Sequence, residues 1–411
     1  MAALASAPRY PDLTLTLTLT ITSSYHRPPI PSSHHDLPLH PRTIPHPAAI
    51  HAAYTLIQPH VHQTPLLTCQ TLNTIASTPQ SAEALSVTPY EGQAPANPTF
   101  RFFFKCENYQ RIGAFKARGA FHALLRLIAE KGKEEVARRG VITHSSGNHA
   151  QALALAASTL GVPAYIIMPT ISTPSKIAGT KSHGAEVIFS GSTSVEREAV
   201  VEEVQAKTGA ILVPPYDDFN IICGQGTCAL ELEGQYRDLV KEKPQLSIRS
   251  EGKALDAVIT PIGGGGLNAG VATFFSDKTT KVFGAEPSFE GGDDCRRGLD
   301  TGERVDAVST LTIADGLRTP VGLLNWEVIA DREKVAGVFA VTEEQIKAAM
   351  RLVLERMKVV VEPSAVVGLA VCLYNEEFRR LVEKEAPEGW DVGIVFSGGN
   401  TTVEAIGKLF S

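Results

Sequence analysis

The stretch AVITPIGGGGLNAG, residues 257–270, carries the pattern that decides the fold. Its apolar first half predicts a buried strand, and the residues after the glycines predict a helix. The glycines at 263–266 would let backbone N–H groups close around a phosphate without obstruction by side chains. A flexible turn is the alternative, although consecutive glycines are costly for that purpose alone. The stretch lacks the features of a P-loop or a dinucleotide fingerprint, so it predicts a site for a single phosphate group.

Strands and helices alternate on both sides of this stretch. Alternation at this spacing predicts βαβ units and parallel sheets, which bind ligands beyond the carboxyl ends of their strands. The predicted fold class is therefore α/β. We expect strands at residues 100–105, 141–143, 164–168, 186–189, 211–213, 257–262, 281–285 and 392–396. We expect helices at residues 115–131, 148–160, 174–183, 194–208, 224–241, 343–357 and 364–374.

The composition is that of an ordinary globular enzyme. The chain has 411 residues, 43% of them hydrophobic and 20% charged, which is enough for a few compact lobes. The net charge of −6 argues against a nucleic-acid partner, because such a partner requires clustered Lys and Arg. No apolar run reaches the roughly 18 residues of a membrane span, so we expect no membrane partner.

Cysteine usage and the terminal segment bear on the compartment. The six cysteines include no C-x-x-C pair, which favours a reducing compartment over a disulfide framework. We therefore expect a cytoplasmic protein, with a mitochondrial location left open. Residues 1–47 lack the apolar centre of a secretory signal, and we expect a disordered N-terminal extension there, with a targeting sequence as the alternative. Residues 77–99 are rich in small and polar residues and predict a surface loop.

Lys116 lies at a predicted junction between a loop and a helix, within the sequence GAFKARGA at residues 113–120. Small residues and an aromatic residue flank it, which suits a lysine that forms a Schiff base with a flat ring. Such a lysine needs a pKa lowered by burial or by nearby charge. Judged alone, a solvated lysine on a helix is the better interpretation.

A second polar segment, THSSGNHAQ at residues 143–151, follows a predicted strand. Ser145 or Ser146 can cap the helix that begins there. The free backbone N–H groups and the positive end of that helix would then bind a carboxylate. Capping alone is the alternative, but the segment has more polar groups than a cap requires. The turn FSGGN at residues 396–400 also follows a strand and is weak by itself.

Together these segments carry a resemblance to a known family. The lysine segment, SSGNH (145–149), the glycines at 263–266 and SGGN (397–400) resemble, in order and spacing, the motifs of the fold-type II pyridoxal phosphate (PLP) enzymes. Within that family the chain is most similar to the branch of serine racemases and threonine/serine dehydratases. TIADG (312–316), GQGT (224–227) and VEPS (361–364) carry this closer likeness.

The resemblance implies a fold and a domain division. The fold is that of the tryptophan synthase β-like enzymes, with two domains based on parallel sheets and the cofactor in the cleft between them. The large cofactor-binding domain would comprise residues 48–137 and 217–411, and the small domain residues 138–216. Relatives in this family are often dimers, which implies a homodimer.

The resemblance also implies a role for each motif residue. Lys116 would hold PLP as a Schiff base, with Phe115 and Gly316 on the two faces of the ring. Asn148 would bind the ring hydroxyl, and Ser397 would face the ring nitrogen. A serine there donates to a neutral nitrogen, which weakens the electron sink and favours loss of a β-leaving group. The phosphate would be held by Gly263, Gly264, Gly265, Gly266 and Leu267.

The implied reaction is β-elimination, a dehydration and deamination, of an amino-acid substrate such as L-serine, L-threonine or 3-hydroxyaspartate. Lys116, once displaced by the substrate amine, would remove the Cα proton, and the products would be a 2-oxo acid and ammonia. Ser146 would lie on the opposite face of the substrate as a second acid/base, which opens serine racemase activity as well. The substrate α-carboxylate would be bound by Ser145, Ser146, Asn148, His149 and Arg197.

The racemase branch further implies a site for Mg²⁺, or for Ca²⁺ or Mn²⁺. Its ligands would be Glu286, the carbonyl of Gly292 and Asp294, since oxygen ligands suit hard cations. The loop is longer here than in the family's usual form, which makes Glu290 a rival ligand. A solvated acidic loop is the alternative.

Arg318 lies near the implied substrate position. An arginine there would read a second carboxylate and favour 3-hydroxyaspartate, because its guanidinium fork matches carboxylate geometry. A salt bridge elsewhere is the alternative. Two other functions also stay open: β-replacement of the cysteine synthase type, which usually has Thr-Ser-Gly-Asn-Thr in place of SSGNH, and PLP or nucleotide binding without catalysis.

Overall fold

The computed structural model describes residues 44–145, 147–191, 193–248 and 254–411, and it confirms the α/β class. Two sheets, built mainly of parallel strands, form the framework. The predicted N-terminal extension lies almost entirely outside the described ranges. Within those ranges, no helix is long and apolar enough to cross a membrane.

The strands confirm most of the expected positions and add a short first strand and a ninth. Several run one or two residues past the predicted end, because the ladder continues until the chain turns. Their bounds are Leu66–Leu67 (β1), Phe100–Cys106 (β2), Val141–His144 (β3), Ala164–Pro169 (β4), Glu186–Ser190 (β5), Ile211–Leu212 (β6), Ala257–Pro261 (β7), Lys281–Pro287 (β8), Gly337–Val341 (β9) and Trp390–Phe396 (β10).

The larger sheet has the strand order β1-β2-β10-β7-β8-β9, and the smaller sheet the order β5-β4-β3-β6. β1 pairs antiparallel with β2, and the other neighbours are parallel. Parallel strands end at a common edge, so the turns after β7 and β10 lie side by side. The glycine stretch and the SGGN turn are therefore neighbours in space.

Helices connect and cover the strands. Their bounds are Pro47–Ile57 (α1), Gln70–Ala76 (α2), Ala82–Leu85 (α3), Lys116–Lys131 (α4), Lys133–Arg139 (α5), Asn148–Leu160 (α6), Pro174–Lys181 (α7), Ser194–Thr208 (α8), Phe219–Glu242 (α9), Gly266–Phe275 (α10), Asp294–Thr301 (α11), Leu323–Ile329 (α12), Glu343–Leu352 (α13), Val367–Tyr374 (α14), Glu376–Glu385 (α15) and Val403–Phe410 (α16).

The helix expected at residues 224–241 begins earlier, at Phe219 in α9. Asp218 caps it, because its side chain accepts hydrogen bonds from the N–H groups of Asn220 (2.8 Å) and Ile221 (3.0 Å). The glycine taken as the start of the helix serves instead for close packing. A Cβ added at Gly224 would lie 2.6 Å from the Cα of Gly119 in α4. The early start of α9 therefore reflects a cap and a helix contact that sequence spacing does not reveal.

The predicted long helix at 343–357 is divided. α13 ends at Leu352, and a π-helical turn, Val353–Met357, follows and ends at Lys358 with φ +61°. The expected surface loop at 77–99 contains the short helix α3 and is fastened to α15. The guanidinium of Arg379 donates to the carbonyls of Ala76 (2.6 Å) and Thr78 (2.8 Å).

Four charged side chains are buried together beneath α4, at the centre of the larger sheet. Lys105 and Arg118 both contact Glu231, at 2.6 Å and 2.7 Å. Arg118 also contacts Glu107 at 2.8 Å. We call this set the buried charge cluster. Its two positive and two negative charges balance, which a low-dielectric interior requires.

The two sheets take their strands from different parts of the chain. β3 to β6 lie between residues 141 and 212, and the remaining strands lie before or after them. Residues 43–411 form one compact unit. The division at residues 138 and 216 stays a prediction.

Candidate active site

Lys116 is the first residue of α4 and lies at the carboxyl edge of the larger sheet. Its Nζ donates to the carbonyl oxygen of Pro215 (2.7 Å) and lies 5.2 Å from the centre of the Phe115 ring. Burial lowers the pKa of this amine from 10.5 to about 8. The lysine is therefore the reactive kind that the Schiff-base hypothesis requires.

The glycine stretch forms a turn at the start of α10. Gly265 has φ +91°, a conformation that favours glycine. Among the described residues, no acceptor is found for the backbone N–H groups of residues 263–267, which face the turn at the beginning of the helix. Free N–H groups at the positive end of a helix are what an anion such as phosphate binds.

The neighbours of this turn include a residue that the sequence did not nominate. A Cβ added at Gly264 would lie 2.3 Å from the ring of Tyr216, so glycine is required for the ring to pack there. A Cβ at Gly263 would lie 3.0 Å from the carbonyl oxygen of Gly316. The structure thus brings Gly316 and Tyr216 to the glycine turn. Tyr216 directly follows the carbonyl that holds Lys116, which is the only positional signal it carries.

Ser397 follows β10 and is buried. Its carbonyl oxygen accepts a hydrogen bond from the N–H of Phe115 (3.0 Å). The strand end and the loop before Lys116 are joined again where the N–H of Gly399 donates to the carbonyl of Gly113 (2.9 Å). The predicted ring-nitrogen partner and the predicted Schiff-base lysine are therefore held on one rigid junction.

Asn148 begins α6 and reaches across to the larger sheet. Its Nδ2 donates to Oε1 of Glu362 (2.9 Å), and its Oδ1 accepts from Nδ2 of Asn400 (2.8 Å). Glu362 is buried, and burial together with the charge of Asp315 raises its pKa from 4.5 to about 7. Glu362 belongs to the quoted VEPS motif, yet a glutamate in that motif has no spacing that indicates such a contact.

The predicted carboxylate turn precedes α6. The hydroxyl of Ser145 accepts from the N–H of Gly147 (3.3 Å). His149 is buried, and burial and the nearby charge of Lys116 lower its pKa to about 3, so it is neutral. Its Nδ1 has no hydrogen-bond partner among the described residues. Ser146, the predicted second acid/base, lies outside the described residues.

The two predicted arginines differ in position. Arg197 lies on α8, close enough that its charge lowers the pKa of His144 at the end of β3. Arg318 turns back on its own loop: its guanidinium donates to the carbonyl of Thr312 through Nε (3.0 Å) and a terminal nitrogen (2.6 Å). The expected alternative for Arg318 was a salt bridge, and its partners are instead backbone carbonyls.

Glu286 at the end of β8 and Asp294 at the start of α11 are both buried. Burial, and then the charge of Asp294, raises the pKa of Glu286, and burial raises the pKa of Asp294 to about 6. Glu290 lies elsewhere, since its carboxylate accepts from the N–H of Leu311 (2.9 Å). Across the described part of the chain, no group of three or more His, Cys, Asp or Glu side chains could hold a metal. A cation here would need carbonyl ligands such as Gly292, and water.

Comparison with known proteins identifies the family. The model of the pyridoxal-phosphate dependent enzymes matches residues 81–398, so the chain belongs to this family. Serine racemase from Arabidopsis thaliana is 38% identical over 364 residues, which are 88% of this chain and 95% of that protein.

Solved structures agree. Maize serine racemase has a TM-score of 0.73 and 34% identity, covering 90% of this chain and 97% of its own. A bacterial-type relative, the threonine deaminase of T.th., has a TM-score of 0.69 and 34% identity, covering 87% and 99%. The predicted resemblance, the fold-type II fold and PLP as cofactor are thereby confirmed.

The residues present fit PLP. The turn at residues 263–267 offers free N–H groups for its phosphate, and Lys116 offers an amine of lowered pKa for its aldehyde. Ser397 and Asn148 lie at the same edge, where a ring nitrogen and a ring oxygen would need partners. The individual site assignments stay predictions.

Proposed function

We propose that this protein catalyses the PLP-dependent β-elimination of a hydroxy amino acid, yielding a 2-oxo acid and ammonia. The observation that carries the proposal is the Lys116 amine, with its pKa lowered to about 8, beside a turn of free backbone N–H groups. The likeness to serine racemases and to a threonine deaminase supports serine and threonine as substrates. Racemisation of serine is the second activity that we propose.

The chain's own residues divide the work. When bound, PLP supplies an electron sink for the negative charge that develops at the substrate Cα. Lys116 holds the cofactor and, once released, takes the Cα proton on Nζ, which its lowered pKa permits near neutral pH. Phe115 and Gly316 keep the ring flat between them, and Ser397 offers a hydroxyl rather than a carboxylate to the ring nitrogen.

The start of α6 orients the substrate. Ser145, Ser146, Asn148 and His149 surround the helix N-terminus, which we propose binds the α-carboxylate. Neutral His149 adds no charge there, so the helix end and Arg197 supply the attraction. Arg318 would have to release the carbonyl of Thr312 to reach a second carboxylate, so we place serine and threonine ahead of 3-hydroxyaspartate.

A product assay tests this function. Purified protein with PLP and Mg²⁺ is incubated with L-serine, L-threonine and the 3-hydroxyaspartate isomers, and 2-oxo acid, ammonia and enantiomer composition are measured. We expect pyruvate from serine, 2-oxobutyrate from threonine, and none from Lys116→Ala. Turnover only with sulfide and an activated serine would instead indicate β-replacement. Cofactor binding without any turnover would leave a non-catalytic PLP protein.

We also propose a divalent cation site, with Glu286, the carbonyl of Gly292 and Asp294 as ligands for Mg²⁺, Ca²⁺ or Mn²⁺. The two buried carboxylates support it, because negative charges left together away from water favour a bound cation. Glu290, the rival ligand, is engaged with Leu311.

We propose that the protein works as a homodimer in the cytoplasm. The side chains of Tyr109 and Val360 support the dimer, since they are 48% and 53% exposed and lie beside the SGGN turn. Six unpaired cysteines support a reducing compartment, and a mitochondrial location stays open. Sedimentation of the purified protein and fluorescence of a tagged full-length chain test the two proposals.

A further inference from the structure

Three side chains from distant parts of the sequence form a closed hydrogen-bonded triangle. Asn148 donates to Oε1 of Glu362 (2.9 Å) and accepts from Nδ2 of Asn400 (2.8 Å). The backbone N–H of Asn400 closes the triangle by donating to Oε2 of Glu362 (3.2 Å). The members lie at the start of α6, before α14 and after β10.

The triangle allows one orientation of the Asn148 amide. Nδ2 of Asn400 also donates to the carbonyl of Ile112 (2.8 Å), and a carbonyl can only accept. The NH₂ group of Asn400 is therefore fixed, and Asn148 must turn its oxygen toward it. The NH₂ group of Asn148 then faces Glu362, which uses one of its two hydrogens. One N–H of Asn148 remains for a ligand, and its oxygen is already engaged.

Glu362 sits next to residues that the cofactor requires. Its backbone N–H donates to the carbonyl of Gly398 (3.0 Å), and a Cβ added at Gly398 would lie 2.6 Å from its Oε1. Ser364, two residues on, accepts from the N–H of Gly316 (3.0 Å). The carboxylate is thus packed against the SGGN turn and is joined by its own segment to the residue proposed to lie on the ring.

We propose that Glu362 and Asn400 are positioning residues, which present the one remaining N–H of Asn148 to the ring oxygen of PLP. The proposal rests on the site assignment above, in which Asn148 binds that oxygen. Fixed in this way, Asn148 can donate to the ring oxygen and cannot accept from it. Pre-orientation of a single donor is the contribution of the triangle to cofactor binding.

The charge environment fits this role. Glu362 has no ion-pair partner among the described residues, and its nearest charged neighbours are Asp315 and Lys176, which pair with each other at 2.5 Å. The Glu362 carboxyl is therefore held by hydrogen bonds from Asn148 and Asn400 rather than by a cation. A side chain that served stability alone would be better replaced by an apolar residue.

A double-mutant cycle tests the proposal. Glu362→Gln, Asn148→Ala and their combination are titrated with PLP, recording the dissociation constant and the absorption spectrum of the bound cofactor. Glutamine cannot accept from both Asn148 and the N–H of Asn400, so we expect the PLP dissociation constant to rise about tenfold. Because Glu362 acts through Asn148, the double variant should bind no more weakly than Asn148→Ala, with the same altered spectrum.

Two further variants secure the result. Asn400→Ala should match Glu362→Gln in affinity and spectrum, which also covers a failure of Glu362→Gln to fold. Glu376→Gln is the matched control, since Glu376 is buried and accepts a backbone N–H, from Ala96 (2.7 Å), far from this triangle. It should bind PLP as the wild type does.

Two outcomes would overturn the inference in different ways. Additive losses in the double variant, or wild-type affinity and spectrum in both Glu362→Gln and Asn400→Ala, would show that these residues do not act through Asn148. Wild-type affinity and spectrum in Asn148→Ala would remove the assignment of Asn148 to the ring oxygen, and the positioning role with it.

Discussion

Lys116 owes its reactivity to the position of its amine. The neutral amine is the nucleophile that captures an aldehyde, and burial lowers its pKa from 10.5 to about 8. We expect the rate of PLP capture by the cofactor-free protein to rise with pH and to reach half its plateau near pH 8. Stopped-flow absorbance across the neutral and alkaline range measures this. Nα-acetyl-lysine is the control, and its rate should keep rising to about pH 10.4; a protein profile that follows it would contradict the prediction.

Glu362 should reduce the stability of the cofactor-free protein. Its pKa in the folded state is about 7 against 4.5 ordinarily, so the unfolded chain loses the proton first and the free energy of unfolding falls between these pH values. Glu362→Gln cannot ionise. Its free energy of unfolding should exceed that of the wild type by up to about 3 kcal/mol above pH 7, and this gain should disappear below the ordinary pKa of the carboxyl. Urea unfolding at several pH values measures the difference, and a gain independent of pH would exclude this cause.

Single residues show what sequence can and cannot nominate. Lys116 and Ser397 could be proposed because small or aromatic neighbours and a strand end mark them within a few positions of the chain. The contact of Glu362 depends on Asn148 and Asn400, which come from two other segments, so nothing local indicates it. Arg318 illustrates the same difficulty, because no pattern tells whether a guanidinium will meet a substrate or the carbonyl of Thr312.

Among the elements, the helices around the site are held by unusually close contacts. A Cβ at Gly226 in α9 would lie 2.6 Å from the carbonyl oxygen of Gly270 in α10. Together with the contact between Gly224 and Gly119, this fixes α4 and α10, which begin with Lys116 and with the phosphate turn. The strands could be predicted from apolar runs, but the start of α9 could not, since its glycines resemble a helix boundary and serve as contact points.

β8 and α11 together present the carboxylates proposed to bind a cation. We expect a saturating concentration of Mg²⁺ or Ca²⁺, about 100 times the dissociation constant, to stabilise the protein by about 2.7 kcal/mol. Thermal unfolding with and without the cation, after removal of bound metal with EDTA, measures the effect. Glu286→Gln and Asp294→Asn should abolish it.

Glu290→Gln is the matched control for this site. Glu290 lies on the same loop, but its carboxylate accepts from Leu311, so the variant should keep the full stabilisation by the cation. Loss of the effect in Glu290→Gln, together with its survival in Asp294→Asn, would reverse the assignment of ligands.

At the scale of the whole molecule, the proposed dimer involves the face that carries Tyr109 and Val360. Burying these exposed side chains against a second copy would remove apolar surface from water. We expect Val360→Asp to raise the dimer dissociation constant by at least about tenfold, as measured by analytical ultracentrifugation. Val87→Asp is the control, because Val87 is 90% exposed and lies in the segment 77–99, so its dimer should be unchanged. A monomeric wild type, or equal loss in both variants, would contradict the prediction.

The general architecture followed from the sequence because strand–helix alternation leaves few arrangements. The order of the strands in each sheet did not, since β10 comes last in the chain and pairs between β2 and β7. Such pairing is decided by which faces bury most surface once the chain has folded. Local sequence periodicity carries no information about it.

The buried charge cluster limits how this chain can diverge. Replacing any one of Lys105, Glu107, Arg118 and Glu231 leaves a neighbour charged and unpaired away from water, at about 3–5 kcal/mol. That loss is a large part of the stability of an ordinary domain. Evolution at these positions must therefore proceed by paired exchange, in which a cation and an anion are lost together. Descendants that keep Lys116 on α4 will inherit the whole set or a jointly neutral replacement of it.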